Sequence, residues 1–445
     1  MSTHAFQAPK GTRDFYPSDL AVRRHIEHAW RSASIDCGFD EVEGPAFEHL
    51  ELYTAKSGEG IVNELFSFRR AGGENDYALR PEFTPTLARM VAARAGALPV
   101  PVKWFAIPNM FRAERPQRGR LREFVQWNID TLGVEGAATD IDVIACAILA
   151  LERLGLTPLD VQVRLSHRVA IGRLLSALGV SEEKSADAMT LLDRRDKLKP
   201  DEFATRAQAL GLSAEGVASF DLAARATQPL ADEISALATK IGIPVEALAA
   251  LDEVRAAATR AGILEWCTVD IGIVRGLAYY TGTVFEIHEI SGAERAVAGG
   301  GRYDGLVELF GGPKMAACGF GMGDVVLANV LRDRKLLPDD GAALLPRPDA
   351  FVISAGSEAA EAELPRLMMA LRRAGFHARS SSKVTRNVGK LLGDAGKARA
   401  RFAVILGAEL TEGQIALKNL DSGSHSGSQT LVALAELTEH LRVKA

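Results

Sequence analysis

The sequence predicts an α+β core on an antiparallel sheet, interrupted by a helical insert and followed by a separate α/β domain. Three observations carry that prediction. Stretches rich in apolar, aromatic and β-branched residues at 102–111 and 124–132 flank a polar loop, the pattern of an antiparallel hairpin. From 167 to 262, Ala, Leu, Glu, Lys and Arg recur at helical spacing, after which strand signals return. Beyond a proline-rich, polar stretch, strands and helices alternate to the end of the chain.

The elements follow in order. Apolar residues at helical spacing over 20–37 predict a helix closed by Gly38, and 39–45 reads as extended. A short strand at 77–79 runs into Arg80-Pro81-Glu82, and a helix from about Pro85 turns Leu87, Met90 and Val91 inward. After the hairpin come a helix over 138–154 and an alternating strand over 161–165. Strands resume at 268–270 and 283–288, followed by Gly299-Gly300-Gly301 and a second glycine cluster ending at Gly323. The core therefore occupies 1–166 and 263–335, the helical insert 167–262, a linker 336–348 and the C-terminal domain 349–445. In that last domain strands are expected at 351–354, near Ala378, at 401–407 and 414–417, with helices over 361–375, 388–395 and 431–441. The Ser/Gly stretch 421–428 reads as a mobile hairpin.

Composition bounds the function without naming it. A chain of 445 residues outgrows a single core and excludes a small binding module. A formal net charge of −5 argues against a protein that coats nucleic acid non-specifically, yet allows RNA binding through a local basic loop. Cys37, Cys146, Cys267 and Cys318 lie far apart, which fits reduced thiols and predicts neither disulfides nor a structural metal. The N-terminus lacks a basic-then-apolar pattern and no apolar run reaches the length of a membrane span, so a cytoplasmic protein with no membrane partner is expected.

Three segments could carry chemistry. The stretch 111–124 places Arg112, Arg115, Arg118, Arg120 and Arg122 on one loop, where guanidinium groups would grip polyphosphate or a nucleic-acid backbone. Alone, it reads first as a solvated basic turn. The stretch 270–286 sets glycines around Arg275 and the Tyr279-Tyr280 pair, allowing close backbone approach to a small ligand, although a tyrosine pair is more often core or interface. The run 299–305 could lie against a planar ligand, but a glycine cluster on its own reads as a tight turn.

Together these segments resemble the signature motifs of histidyl-tRNA synthetases, and the resemblance extends from Lys10-Gly11-Thr12-Arg13-Asp14 to the C-terminus. The arginine-rich loop resembles motif 2 of class II synthetases, residues 275–282 the first histidine-specific motif and 299–306 the second. The resemblance implies a class II catalytic core on an antiparallel sheet with a C-terminal anticodon-binding domain. It also implies that histidine is activated with ATP and Mg²⁺ and passed to the 3′ end of tRNA(His). Arg112 and Arg275 would act on the α-phosphate, while Glu114, Arg120 and Gly323 would bind ATP. Histidine would be held by Glu82, Thr84, Gln126, Asp130, Tyr279, Tyr280 and Gly300. By itself Glu82 reads first as a charge at a helix N-terminus. Arg115 and Gln117 would meet the acceptor end of the tRNA, and Pro45 matches the motif 1 proline at a homodimer interface. In the C-terminal domain Lys383, Arg386 and Lys390 are either backbone contacts or solvated charges.

The pattern breaks in three places. Motif 3 normally ends in an arginine that grips the ATP γ-phosphate, and here Val326 stands in its place. Ala278 replaces a common Asp, and Asp130 a common Glu. The missing arginine raises one rival, a non-catalytic, histidine-sensing regulatory paralogue of ATP phosphoribosyltransferase. The C-terminal domain and the retained Arg112, Glu114, Arg120, Arg275, Tyr279 and Tyr280 weigh against it. No Walker or Rossmann glycine fingerprint supports a generic nucleotide-binding protein.

Overall fold

The computed structural model describes residues 6–57, 59–274, 280–383, 385–421 and 429–443. They form two compact units divided at Leu344/Leu345. The expected mobile hairpin lies largely outside the described residues.

The first unit opens with helix α1 (Pro17–Asp36), where Pro17 supplies a preset φ at the first turn and Val22, Ile26, Ala29, Trp30 and Ala33 form the buried stripe. There follow β1 (Asp40–Glu41), β2 (Phe47–His49), α2 (Leu50–Ser57), β3 (Ser67–Arg69), β4 (Asp76–Leu79) and α3 (Thr84–Arg94). Next come β5 (Val102–Ala106), β6 (Asn109–Phe111), β7 (Glu123–Leu132), α4 (Ala137–Arg153) and β8 (Val161–His167). The stretch 102–111, expected as one strand, is two, because Pro108 has no N–H to offer the ladder.

The helical insert contains α5 (Arg168–Ala177), α6 (Ser185–Asp193), α7 (Pro200–Ala209), α8 (Ala214–Ala224), the short β9 (Thr227–Pro229), α9 (Ile234–Ile241) and α10 (Ala249–Ala261). Its buried side chains, Leu174, Phe203, Phe220 and Leu251 among them, are continuous with the core of the sheet. The chain then returns through β10 (Cys267–Asp270), β11 (Thr283–Glu289), β12 (Ala298–Arg302), α11 (Leu306–Leu309), β13 (Ala317–Gly323) and α12 (Asp324–Asp333).

The large sheet runs β1-β5-β7-β13-β12-β11-β8-β10-β9, with β6 also paired to β7. From β5 to β8 every pairing is antiparallel, whereas β1/β5 and β8/β10 are parallel. The parallel pair at β8/β10 follows from the insert, since parallel neighbours need a long crossover. A three-stranded sheet, β2-β4-β3, stands apart. The glycine runs are strand, not turn: Gly299–Gly301 lie in β12 and Gly319–Gly323 in β13. Their tight packing overrides local propensity, because a Cβ on Gly300 would come within 2.2 Å of the Gly319 carbonyl oxygen. Residues 341–344 of the expected linker make a 3₁₀ turn in which Gly341 approaches the Ser18 carbonyl of α1 too closely for a side chain.

The second unit comprises β14 (Ala350–Ser354), α13 (Glu358–Arg373), β15 (Ala378–Ser380), α14 (Val388–Lys397), β16 (Phe402–Leu406), β17 (Gln414–Asn419), β18 (Gln429–Ala433) and α15 (Leu437–Val443). Its mixed sheet runs β15-β14-β16-β17-β18, parallel over the first three strands. Leu431, expected in a helix, lies in β18 because that segment pairs with β17. No described helix in either unit is long and apolar enough to cross a membrane.

Candidate active site

A cleft of about 270 Å³ opens over β7, β12 and β13 in the first unit. Strand alternation builds its floor: Phe124, Gln126 and Asn128 point into it, while Val125, Trp127 and Ile129 point into the core beneath. That underside is held by Trp127, which stacks on Trp30 at 5.9 Å and donates its indole N–H to Ser34 Oγ at 3.0 Å. Facing β7, the alternate glycines of β13 leave room for polar side chains. A Cβ on Gly319 would lie 2.1 Å from Asp130 Oδ1, and one on Gly321 would lie 2.8 Å from the Gln126 amide.

The five arginines of the loop after β6 divide by task. Arg112 and Arg120 line the cleft. Arg112 lies over the Phe124 ring at 5.1 Å and donates from Nε to the Pro81 carbonyl at 3.1 Å. Burial holds its guanidinium below the usual range, against the opposing pull of Glu82 and Glu114. Arg120 is paired with Glu114 Oε1, and Glu114 Oε2 is buried with no hydrogen-bond partner. Gln117 and Arg120 bond each other's backbone across a two-residue turn at 3.0 and 2.9 Å, with Gly119 at φ +72°. That turn leaves Arg115 and Gln117 exposed.

Arg118 and Arg122 brace the loop instead. Arg118 Nη2 bonds the buried carboxylate of Glu294 at 2.6 Å. The backbone N–H of Arg122 donates to the Gly11 carbonyl at 2.8 Å, and Gly11 abuts Pro116 so closely that a Cβ would lie 2.6 Å from its ring. Arg13 continues the brace through Asp324 Oδ2 at 2.7 Å, while Asp324 Oδ1 accepts from Val125 N at 3.0 Å. Residues 11–13 thus clamp the loop to the start of α12. Nothing local in the sequence showed this, because the partners lie over a hundred positions away.

The opposite wall holds Glu82, Thr84 and Tyr280. Glu82 pairs with Lys56 Nζ at 2.6 Å, so an ammonium group already occupies its carboxylate. Asp130 does not reach the cleft surface. It is buried beneath Tyr303, whose hydroxyl donates to Asp130 Oδ1 and which lines the cleft itself. Burial pushes the Asp130 carboxyl up to about 7, with the Tyr303 hydrogen bond acting in the other direction. Likewise Gly299, not Gly300, borders the cleft; Gly300 faces β13. Tyr303 and Asn128 are cleft residues that sequence reasoning missed, although Tyr303 lies inside the motif at 299–306 and Asn128 at the right alternation. Gly323 lines the far end as N-cap of α12, beside Val325 and Val326. Arg275 and Tyr279 lie outside the described residues, as does the Ala278 departure.

Beneath the cleft, Arg302 fastens the glycine strand. It bonds Asp140 at 2.5 Å and the carbonyls of Val134 and Gly136, and Asp140 accepts from Thr283 Oγ1 at 2.6 Å. In the second unit Lys383 is exposed but paired with Asp394 at 2.6 Å, and Arg386 folds over Gly356. Lys390 is exposed on α14.

Cationic loop, carboxylate wall and glycine-lined floor together make a cleft suited to a polyanion next to a small ammonium-bearing ligand. The family model for histidyl-tRNA synthetase matches residues 11–323. The histidine–tRNA ligase of Halobacterium salinarum is 39% identical over 422 residues, covering 94% of each chain. In fold, the chain is similar to the histidyl-tRNA synthetase of Nostoc sp. PCC 7120, with a TM-score of 0.81, 24% identity and complete coverage of both chains. It is also similar to an ATP phosphoribosyltransferase regulatory subunit/histidyl-tRNA synthetase from Bacillus halodurans C, with a TM-score of 0.71, 22% identity and coverage of 92% of this chain and 100% of that one. By the extent of the family match and of its full-length likeness to a curated ligase, the chain belongs to the histidyl-tRNA synthetase family.

Proposed function

We propose that this cleft joins histidine to ATP and then to tRNA(His). The observation that carries the reading is the placement of Arg112 and Arg120 in the same cleft as Glu82, Thr84, Gln126 and Tyr280. In the first step a histidine carboxylate oxygen attacks the α-phosphorus. A new O–P bond forms, the Pα–O bond to the β-phosphate breaks, and pyrophosphate departs. Arg112 screens repulsion between the two anions and stabilises the charge that builds on the α-phosphate. Arg275 is proposed to act from the opposite side. In the second step a ribose hydroxyl of the terminal adenosine attacks the carbonyl carbon: the ester C–O bond forms, the carbonyl–O–P link breaks at carbon, AMP leaves with the bonding electrons, and the hydroxyl proton passes to the departing phosphate.

Recognition follows from the wall. Glu82 and Thr84 receive the α-ammonium, the kind of group Lys56 Nζ already presents to Glu82. Tyr280, with Tyr279 and the Asp130–Tyr303 pair, supplies polar contacts to the imidazole nitrogens, and a site built for such bonds rejects analogues that leave them unmade. Gln126 serves the carboxylate, and Gly300 backs the pocket from within β12, where it lets β13 approach closely. Glu114, Arg120 and Gly323 bind the nucleotide, while Arg115 and Gln117 reach the acceptor end. Among the described residues no group of three or more His, Cys, Asp or Glu could cage a metal ion. Glu114, whose buried Oε2 has no hydrogen-bond partner, would help to hold a Mg²⁺ ion brought in with ATP. When bound, the ion lowers the charge on the phosphates.

We place the protein in the cytoplasm as a homodimer. Phe47 and Phe68, both exposed, meet Tyr77 edge-on or tilted on the small sheet beside Pro45, an aromatic patch of the kind an interface covers. Val326 is the one observation favouring the regulatory alternative; the second unit and the cationic cleft favour the ligase. Histidine-dependent exchange of labelled pyrophosphate into ATP, with Arg275→Ala as control, decides between them. Exchange abolished by the substitution supports the ligase, and histidine binding without exchange supports the regulator.

A further inference from the structure

The end of the cleft formed by the start of α12 carries Val326 where an arginine would stand, yet it is not without a guanidinium. Arg295 lines the cleft there together with Arg120, Val325 and Val326. Its placement is set by its neighbours. Glu294 is buried, accepts from Arg118 at 2.6 Å and from Asn329 Nδ2 at 3.3 Å, and so ties the turn between β11 and β12 to both the arginine loop and α12. Two residues beyond Arg295, Val297 N bonds the Ile287 carbonyl at 2.7 Å. Around the apex glycine the two side chains converge: a Cβ on Gly119 would lie 3.2 Å from Val326 Cγ2 and 3.8 Å from Arg295 Cδ. Arg295 therefore reaches the same corner of the cleft as position 326, from the neighbouring turn.

Charge gives the corner its ligand. Among the described residues, Arg112, Arg120 and Arg295 line the cleft. Arg112 lies at the Phe124 end, and Arg120 shares its charge with Glu114. Arg295 stands beside the N-terminus of the ten-residue α12, whose first amides favour anions. Resting on the reading of the cleft as an ATP site, we propose that Arg295 binds the terminal phosphates of ATP, in the role an arginine at position 326 would otherwise fill. The cation has been moved from the helix to the turn before β12, and Glu294 is the positioning residue that holds it there.

The test is equilibrium binding of ATP and of AMP to the wild-type protein, Arg295→Gln and Arg295→Lys, by calorimetry, alongside pyrophosphate exchange. Arg295 is exposed, so neither substitution disturbs the core. A charge-assisted hydrogen bond is worth enough to change affinity about tenfold or more. Arg295→Gln should therefore weaken ATP about tenfold while leaving AMP within twofold, and Arg295→Lys should recover most of the loss. An equal loss for ATP and AMP, or ATP affinity within twofold of wild type, overturns the assignment. Wild-type binding of ATP without exchange would sink the ligase reading while leaving this comparison intact. Failure of the wild-type protein to bind ATP at all would sink both.

Discussion

Asp130→Asn isolates the cost of burying one carboxyl group. In the folded protein Asp130 titrates at about 7 against an ordinary 3.8, because burial disfavours the anion more than the Tyr303 hydroxyl supports it. The native state thus holds a proton that the unfolded chain has released, and stability must fall as pH rises through that window. At pH 5 the unfolded carboxyl is ionised and the native one is not, which costs about 2 kcal/mol; by pH 8 the cost reaches about 4 kcal/mol. Wild type should therefore lose roughly 2 to 3 kcal/mol between pH 5 and 8 that Asp130→Asn keeps. Asparagine still accepts the Tyr303 hydrogen bond, and Cys318, whose thiol burial pushes well above its usual range with the Asp130 charge adding to it, stays neutral between pH 5 and 8. Urea unfolding at each pH, followed by tryptophan fluorescence, is the assay. All four tryptophans, Trp30, Trp104, Trp127 and Trp266, belong to the first unit, so the signal reports that unit alone. Parallel pH curves for the two proteins would refute the assignment of a raised, buried carboxyl.

Two further substitutions probe the cleft. Gly319→Ala would set a Cβ 2.5 Å from the Ile129 carbonyl, a backbone atom that cannot swing aside, so it should destabilise the first unit by about 1 to 3 kcal/mol or more. An unfolding midpoint unchanged in urea would disprove that packing argument. Arg120→Ala removes a guanidinium from the nucleotide end and leaves the part-buried Glu114 unpaired. Its KM for ATP in pyrophosphate exchange should rise about tenfold or more with the KM for histidine within twofold; a wild-type ATP value removes Arg120 from the phosphate site.

Much of this was legible in the sequence, and the omissions share a cause. The strands of β7, β8, β10 and β11 and the helices α1, α3 and α4 announced themselves through periodicity over a few residues. The C-terminal unit did so through alternation, apart from β18, whose character is set by its partner β17. What escaped depends on residues distant in sequence. Five arginines in one loop were visible, but their division between cleft and brace depends on Gly11, Glu294 and Asp324. The glycines of β12 looked like a turn because only the approach of β13 explains them. Asp130 lies on the right face of β7, yet Tyr303 comes between it and the cleft from the end of another strand. Arg295 carried no motif at all, since its place is fixed by a buried neighbour and not by spacing.

The strand order has a consequence for how the protein is made. β13 fills the slot between β7 and β12, and it is the last strand of its sheet to leave the ribosome. Asp324, which secures it, lies 199 positions after its partner Val125 and 311 after Arg13. Until then β7 presents an open edge in the nascent chain, and the whole helical insert emerges while that edge waits. Contacts of such long sequence separation close slowly, and unpaired edges invite association with other chains. The same late strand that completes the cleft therefore makes the half-synthesised protein a natural client for chaperones, and it sets the moment at which the first unit can become protease-resistant.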